Sequence, residues 1–271
     1  MSAFTMRSLF WRLGRKLYSW ARREASSNFD TNGEHWLLRS VVAKADKSAK
    51  SILLDIGAHK GYWSENAASL LRYHKAQGHV HAFEPTSSTY SYLAEKFLGS
   101  QVVTANKIAM SDRSGESDFF IAGELAGTNS LLKKDGARVE TVNTMRLDDF
   151  LLMHQIEHVL LVKSDTEGHD LSVLRGAAET LQKGLIDAWQ FEYNHRWITG
   201  RSFLKDVFDF IVDKPYLLGK LYGNGIETYE QWHPELERFF ESNYVLIRKG
   251  GEFETLCSPA HFNKRNVLMQ N

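Results

Sequence analysis

An apolar run beginning at residue 52 ends in Asp55 and passes into a glycine loop, Gly57 to Gly61, that opens a helical pattern. A buried strand feeding such a loop presents backbone N–H groups at a helix N-terminus, and a glycine there lets a ligand approach the main chain closely. Those residue types point to a nucleotide-type cofactor. Dinucleotide sites use Gly-x-Gly-x-x-Gly around a pyrophosphate, whereas the spacing here is Gly-x-x-x-Gly, with a carboxylate at the strand's end. A carboxylate at that place repels phosphate and suits a cationic or hydroxyl-rich ligand.

The stretch His79 to Pro85 reads as a second strand that again ends in an acid, Glu84, and Pro85 stops it. Glu84 follows Gly57 by 27 residues, about where a βαβ unit delivers the side chain that hydrogen-bonds ribose hydroxyls. S-adenosylmethionine carries an ammonium, a sulfonium and a ribose, so it is the expected cofactor. A third acid, Asp165, leaves the apolar strand Val159 to Lys163 in the run Lys-Ser-Asp-Thr-Glu-Gly-His-Asp. Ligands of open α/β sheets sit beyond the carboxyl ends of the strands, so Asp55, Glu84 and Asp165 should converge on one crevice. Asp165 precedes the next helix by too many residues to cap it simply, whereas Asp170 and Glu167 can belong to the cap and its turn.

The elements that must position these acids alternate. Helical spacing covers His35 to Lys47, Tyr62 to Gln77, Ser87 to Leu98 and Leu171 to Lys183. Strand patterns cover Gln101 to Ala109, Val159 to Lys163 and Ala188 to Phe191, with extra strands at Ser117 to Ile121 and Arg138 to Met145 around a polar loop, Gly123 to Gly136. Such alternation predicts a doubly wound, mostly parallel sheet. The late apolar segments Tyr216 to Leu221 and Tyr244 to Ile247 are expected to close it with an antiparallel edge.

Composition sets the bounds. With 33 basic and 33 acidic residues the chain is neutral overall, which argues against a nucleic-acid partner. Cys257 is the single cysteine and cannot form an internal disulfide, which fits the reducing cytoplasm. No apolar stretch approaches the roughly 20 residues of a membrane span. The first 24 residues differ: six basic side chains (Arg7, Arg12, Arg15, Lys16, Arg22, Arg23) face one acid, Glu24. Drawn as a helix, Met6, Leu9, Phe10, Leu13, Leu17 and Trp20 share one side and most of the basic residues the other. That helix could pack on the protein's own core or contact an anionic membrane surface peripherally. The expected division is a helical extension over 1–48 and a catalytic domain over 49–271.

Five segments together resemble the FkbM-type family of S-adenosylmethionine-dependent methyltransferases: Asp55 to Gly61, Phe83 to Pro85, Ala109 to Gly115, Thr144 to Asp149 and Lys163 to Gly168. The resemblance spans about residues 50–195 and leaves the N-terminus uncovered; Ser164 departs from the apolar residue usual at its place. It implies a Rossmann-like class I methyltransferase fold with a seven-stranded sheet, and O-methylation of a hydroxyl on a sugar, glycan or other natural-product acceptor. It also implies that Asp55, Gly57, Ala58, His59 and Gly61 hold the methionine end of the cofactor, Glu84 the ribose, and Ala109 and Met110 the adenine, with Asn129 and Ser130 helping to close the pocket.

Methyl transfer to a hydroxyl requires in-line alignment and removal of a proton. Asp165 is the first candidate for that base and His169, one turn further, the second. On the acceptor side, Glu167 and the residues leaving the fifth strand, Glu192, Tyr193, His195, Arg196 and Trp197, are the expected contacts. No metal is expected, although Asp165, Glu192 and Asn194 could offer oxygen ligands to Mg²⁺ as an alternative. Two other classes stay open at this point: a non-catalytic cofactor-binding or membrane-associated scaffold, and a nicotinamide oxidoreductase, which lacks its third glycine here.

Overall fold

Apolar strands alternating with half-apolar helices build one large sheet and a small one. The computed structural model describes residues 6–24, 28–45, 49–123, 129–133 and 136–270. Helices α1 (Met6–Ala21) and α2 (Glu34–Ala43) precede β1 (Ser51–Ile56), which the glycine loop joins to α3 (Tyr62–His74). Next come β2 (Gly78–Phe83), α4 (Ser87–Lys96) and β3 (Val103–Asn106). Strands β4 (Ala109–Met110), β5 (Gly115–Ile121) and β6 (Arg138–Met145) form the separate small sheet. The chain returns through α5 (Leu147–Met153), β7 (Val159–Ser164), α6 (Asp170–Arg175), α7 (Ala178–Gln182) and β8 (Ile186–Tyr193). After α8 (Arg196–Thr199) and α9 (Leu204–Ile211) come β9 (Tyr216–Tyr222), β10 (Gly225–Tyr229), β11 (Ser242–Arg248), β12 (Cys257–Phe262) and β13 (Leu268–Gln270).

The large sheet runs β3-β2-β1-β7-β8-β11-β9-β10-β12-β13. From β3 to β8 every pairing is parallel. β11 is antiparallel to both β8 and β9, and β9–β10 and β12–β13 are antiparallel as well. This is the doubly wound class I methyltransferase architecture, with the expected antiparallel side. The sheet has ten strands rather than seven, because β10, β12 and β13 extend it beyond β9. The order in which strands are added reverses between β1 and β7, and the register aligns Asp55 with Ala82 and Lys163. The strand ends therefore open on one crevice.

Period-2 alternation divides the core between two faces. Leu54, Ile56, Val162, Trp189 and Phe191 pack on one side. Leu53, Leu161 and Ala188 pack on the other, against Leu37, Leu38, Val41 and Val42 of α2. The expected division at residue 48 falls outside the described residues, but α2 is built into the core. The helix expected over 171–183 is interrupted between α6 and α7. Between them, a Cβ on Gly176 would lie 2.0 Å from the carbonyl oxygen of Ser111, so a neighbouring loop passes too close for any side chain at that position. No residue of α1 is buried, and no helix among the described residues is long and apolar enough to cross a membrane.

Candidate active site

A cleft opens at the carboxyl ends of β1, β2 and β7. Of the residues expected there, Gly57, His59, Glu84, Ala109, Met110, Asn129, Asp165, Glu167 and His169 line it. Glu84 is buried at the end of β2. Its Oε2 accepts the His59 backbone N–H (3.2 Å), and its Oε1 accepts both the N–H and the hydroxyl of Thr86 (3.2 and 2.7 Å). Burial raises its pKa in spite of these hydrogen bonds. Beside it, Phe83, Ile108, Ala109 and Met110 form an apolar slot.

Asp55 lies behind the cleft rather than on its wall. The pleat puts it on the face of β1 opposite Ile56, fully buried, where the Ser64 hydroxyl of α3 donates to its Oδ2 at 2.6 Å. Lys163 on the adjacent strand brings its ammonium to 3.6 Å from Asp55 and 3.5 Å from Asp165. Burial pushes the Asp55 carboxyl up, against the pull of Lys163. For Lys163, burial opposes the charge, but Asp165 and Asp55 more than offset it and hold the ammonium above its ordinary value. Asp55 is thus an anchor for the cation that positions Asp165, and its contact with a cofactor would be indirect.

The glycine loop serves packing as much as ligand approach. Gly57 and Gly61 both have positive φ, at 76° and 69°. A Cβ on Gly57 would sit 2.1 Å from the Asp165 carbonyl oxygen, and one on Gly61 would meet Leu93 and Phe97 of the following helix pair at 2.6 Å. Ala58 is buried in the core on the α3 side.

At the β7 exit, Asp165 is partly exposed on the cleft wall, while Glu167 is held by Arg196, whose Nε lies 2.7 Å from its Oε2. Burial, and then the neighbouring Asp165, raise the Glu167 pKa to about 7. Asp170 is fully buried and accepts the Thr166 N–H at 3.4 Å, so it ties the loop rather than capping α6. Burial raises it to about 6. His169 also faces the cleft, with Nε2 3.0 Å from the Ser111 hydroxyl; burial lowers its pKa to about 4, so it is neutral at pH 7. The Ser130 hydroxyl donates to the carbonyls of Thr166 and Glu167 (3.2 and 3.3 Å) and thereby ties the small sheet to this loop. Asn129 lines the cleft while bracing its own turn through Ala122 and Gly123.

Two expected acceptor contacts are corrected. Tyr193 and Trp197 are buried in the core: the Tyr193 hydroxyl bonds to Glu237, and the Trp197 indole donates to the Glu192 carbonyl. The alternation of β8 turns Tyr193 from the cleft, and Trp197 is the one buried residue of α8. Arg196 reaches the site only through Glu167, and His195 is exposed at the strand's exit. Glu192 accepts from the Asn194 amide at 2.5 Å, and its pKa is raised to about 10 by burial and then by Asp165. Two of the three oxygen ligands of the Mg²⁺ alternative, Glu192 and Asn194, are therefore hydrogen-bonded to each other, and no group of three metal-ligating His, Cys, Asp or Glu side chains occurs among the described residues.

A model of the methyltransferase FkbM domain matches residues 55–220 of the 271 in the chain. The chain belongs to the FkbM methyltransferase family. The hexuronic acid methyltransferase AglP of Haloferax volcanii is 25% identical over 154 residues, which cover 56% of this chain and 60% of that protein. The chain thus spans less than two thirds of this relative's length. Among solved structures, SMU.1697c of Streptococcus mutans, in complex with SAH, gives a TM-score of 0.43 at 11% identity, covering 78% of this chain and 96% of that one. An rRNA methylase from Streptococcus thermophilus gives 0.40 at 10% identity, covering 79% and 95%.

Sequence reading missed Lys163 as a site residue of this FkbM domain. Its signal was available: a lysine inside the apolar run Val159 to Ser164 must be buried, and a buried charge needs a partner. Ser164, the departure from the family pattern, accepts a hydrogen bond from the Trp189 indole at 3.1 Å and is satisfied in the core. The Thr86 clamp on Glu84 and the Ser111 contact of His169 depend on loop paths that spacing does not reveal.

Proposed function

We propose that this FkbM domain transfers a methyl group from S-adenosylmethionine to a hydroxyl of a sugar-type acceptor. The observation that carries the reading is the placement of Glu84 and the Asp165–Glu167 pair on one cleft, with the apolar slot of Ile108 to Met110 beside Glu84.

The residues fit that cofactor. An ionised carboxylate offers about four acceptor positions; Glu84 uses three on His59 and Thr86, which leaves capacity for a ribose hydroxyl. The apolar slot suits a purine ring, and the acid-rich β7 exit suits a cation. When bound, the cofactor supplies a methyl group already activated on a sulfonium. Asp165, steadied by Lys163, orients the acceptor at the cleft wall. Glu167, with a pKa of about 7, takes the hydroxyl proton as the new bond forms, and Arg196 fixes its direction. This gives Glu167 the role first assigned to Asp165, because a carboxylate with a pKa near the working pH is an effective proton acceptor. His169, lowered to about 4, is the weaker candidate. The similarity to AglP, a hexuronic acid methyltransferase, supports a sugar acceptor.

Calorimetric titration with S-adenosylmethionine and with NAD, followed by transfer of labelled methyl to oligosaccharides containing uronic acids, tests this. Saturable binding of the first alone, and label that survives mild alkali, is the expected result. Label released by alkali would mark an ester on a carboxyl group and overturn the hydroxyl assignment.

A further inference from the structure

The apolar stripe of α1 faces solvent. Leu9, Phe10, Leu13, Leu17 and Trp20 are all large and exposed, from 49% for Leu9 to 81% for Trp20. A helix belonging to a globular core turns such a stripe inward. This helix is held by its other side instead. The Tyr18 hydroxyl donates to Glu235 at 3.3 Å, the Arg15 guanidinium lies 4.5 Å over the Phe240 ring, and the buried Arg22 lies 5.1 Å over Phe262. At about 100° per residue, the row 15, 18, 22 and the row 9, 13, 17, 20 fall on nearly opposite sides. Docking to the domain therefore presents the apolar stripe outward.

Charge decides what can cover it. Between residues 6 and 23 there are six basic side chains and no acid, and Arg7, Arg12, Lys16 and Arg23 are exposed. Beyond the helix end, Arg23 lies 4.3 Å over the Tyr222 ring, while Arg12 and Lys16 run along one flank of the stripe. A second copy placed face to face would set these like charges against each other, whereas an anionic lipid surface complements them and accepts the apolar side chains. We propose that α1 is an interfacial helix that lies in the surface of an anionic bilayer and holds the domain there. The proposal rests on α1 and is independent of the acceptor's identity.

Sedimentation of the full chain with vesicles of phosphatidylcholine, alone or mixed with phosphatidylglycerol, tests it. Binding is expected to the mixed vesicles and to weaken with added salt. The Leu13→Glu/Leu17→Glu variant should lower partitioning at least about ten-fold, and Arg12→Glu/Lys16→Glu should remove the preference for phosphatidylglycerol. Both variants should keep the parent unfolding midpoint, since none of the four residues is buried. Failure of the parent to bind mixed vesicles, or unaltered binding in either variant, overturns the proposal. So does a dimer in light scattering that Leu13→Glu/Leu17→Glu converts to monomer while vesicles bind neither form, because a second copy would then be the occupant.

Discussion

The carbonyl oxygen of Asp165 occupies the space a side chain on residue 57 would need: a Cβ on Gly57 would stand 2.1 Å from it. The β1 and β7 loops, which supply opposite parts of the cleft, are thus locked together by the absence of a side chain.

Replacement of Gly57 should accordingly damage the fold and not the cofactor site alone. Gly57→Val combines a positive φ with a backbone clash, and should cost on the order of 2 kcal/mol or more of stability. Chemical denaturation measures this, and a variant of parental stability that merely fails to bind S-adenosylmethionine would restrict the role of Gly57 to ligand approach.

Lys163 stands between two carboxylates, and its removal should be felt first at the buried one. Lys163→Met leaves Asp55 without its cation, for an expected loss on the order of 3 kcal/mol. Asp55→Asn in the same chain should recover part of that loss, since the amide needs no counter-charge. A double-mutant cycle by urea denaturation reads the coupling, and strictly additive losses would mean that the two side chains do not interact.

Catalysis should separate Glu167 from Asp165. Glu167→Gln is expected to retain S-adenosylmethionine affinity and to lower kcat by roughly 10²-fold or more, the scale of a lost general base. In the parent enzyme kcat/KM should rise with pH through about 7, as Glu167 ionises, and that limb should vanish in the variant. Asp165→Asn should act more on KM. Near-parental kcat in Glu167→Gln with a collapse in Asp165→Asn would return the proton to Asp165.

Stability should fall as pH rises above 6.5. Glu167 and Glu192 have folded pKa values of about 7 and about 10 against an ordinary 4.5, so the folded state keeps protons that the unfolded chain has released. Their contribution is largest at low pH and is lost as pH climbs through those values. His81 and His169, both lowered from 6.5 to about 4, act in the other sense, and their contribution is complete above 6.5. Thermal unfolding midpoints of the unliganded protein against pH check this, and Glu167→Gln/Glu192→Gln should flatten the alkaline decline.

Much of the site was legible before any tertiary contact was known. Apolar runs ending in Asp55, Glu84 and Asp165 mark strand ends, and a doubly wound sheet brings parallel strand ends to one edge. Gly57 and Gly61 were read as permitting close approach to the main chain, and both have a positive φ. The close approach of the Ser111 carbonyl to Gly176, between α6 and α7, was not legible, because it comes from 65 residues earlier in the chain. Nor was the outward stripe of α1, since amphipathic spacing states that a helix has two faces and not which one docks.

The amino-acid sequence alone determined the order of strands and helices, the acids at the strand ends and the family, because these depend on local periodicity and on residues close along the chain. Tertiary structure alone decided where each acid sits and what surrounds it. Asp55 turns under the sheet to Lys163 because of the β1 pleat and the β1–β7 register. Tyr193 enters the core through the pleat of β8. Glu167 reaches a pKa of about 7 only because burial and Asp165 oppose its ionisation while Arg196 favours it. A proton's affinity for a site is a sum over neighbours in space, and that sum exists only once the chain has folded.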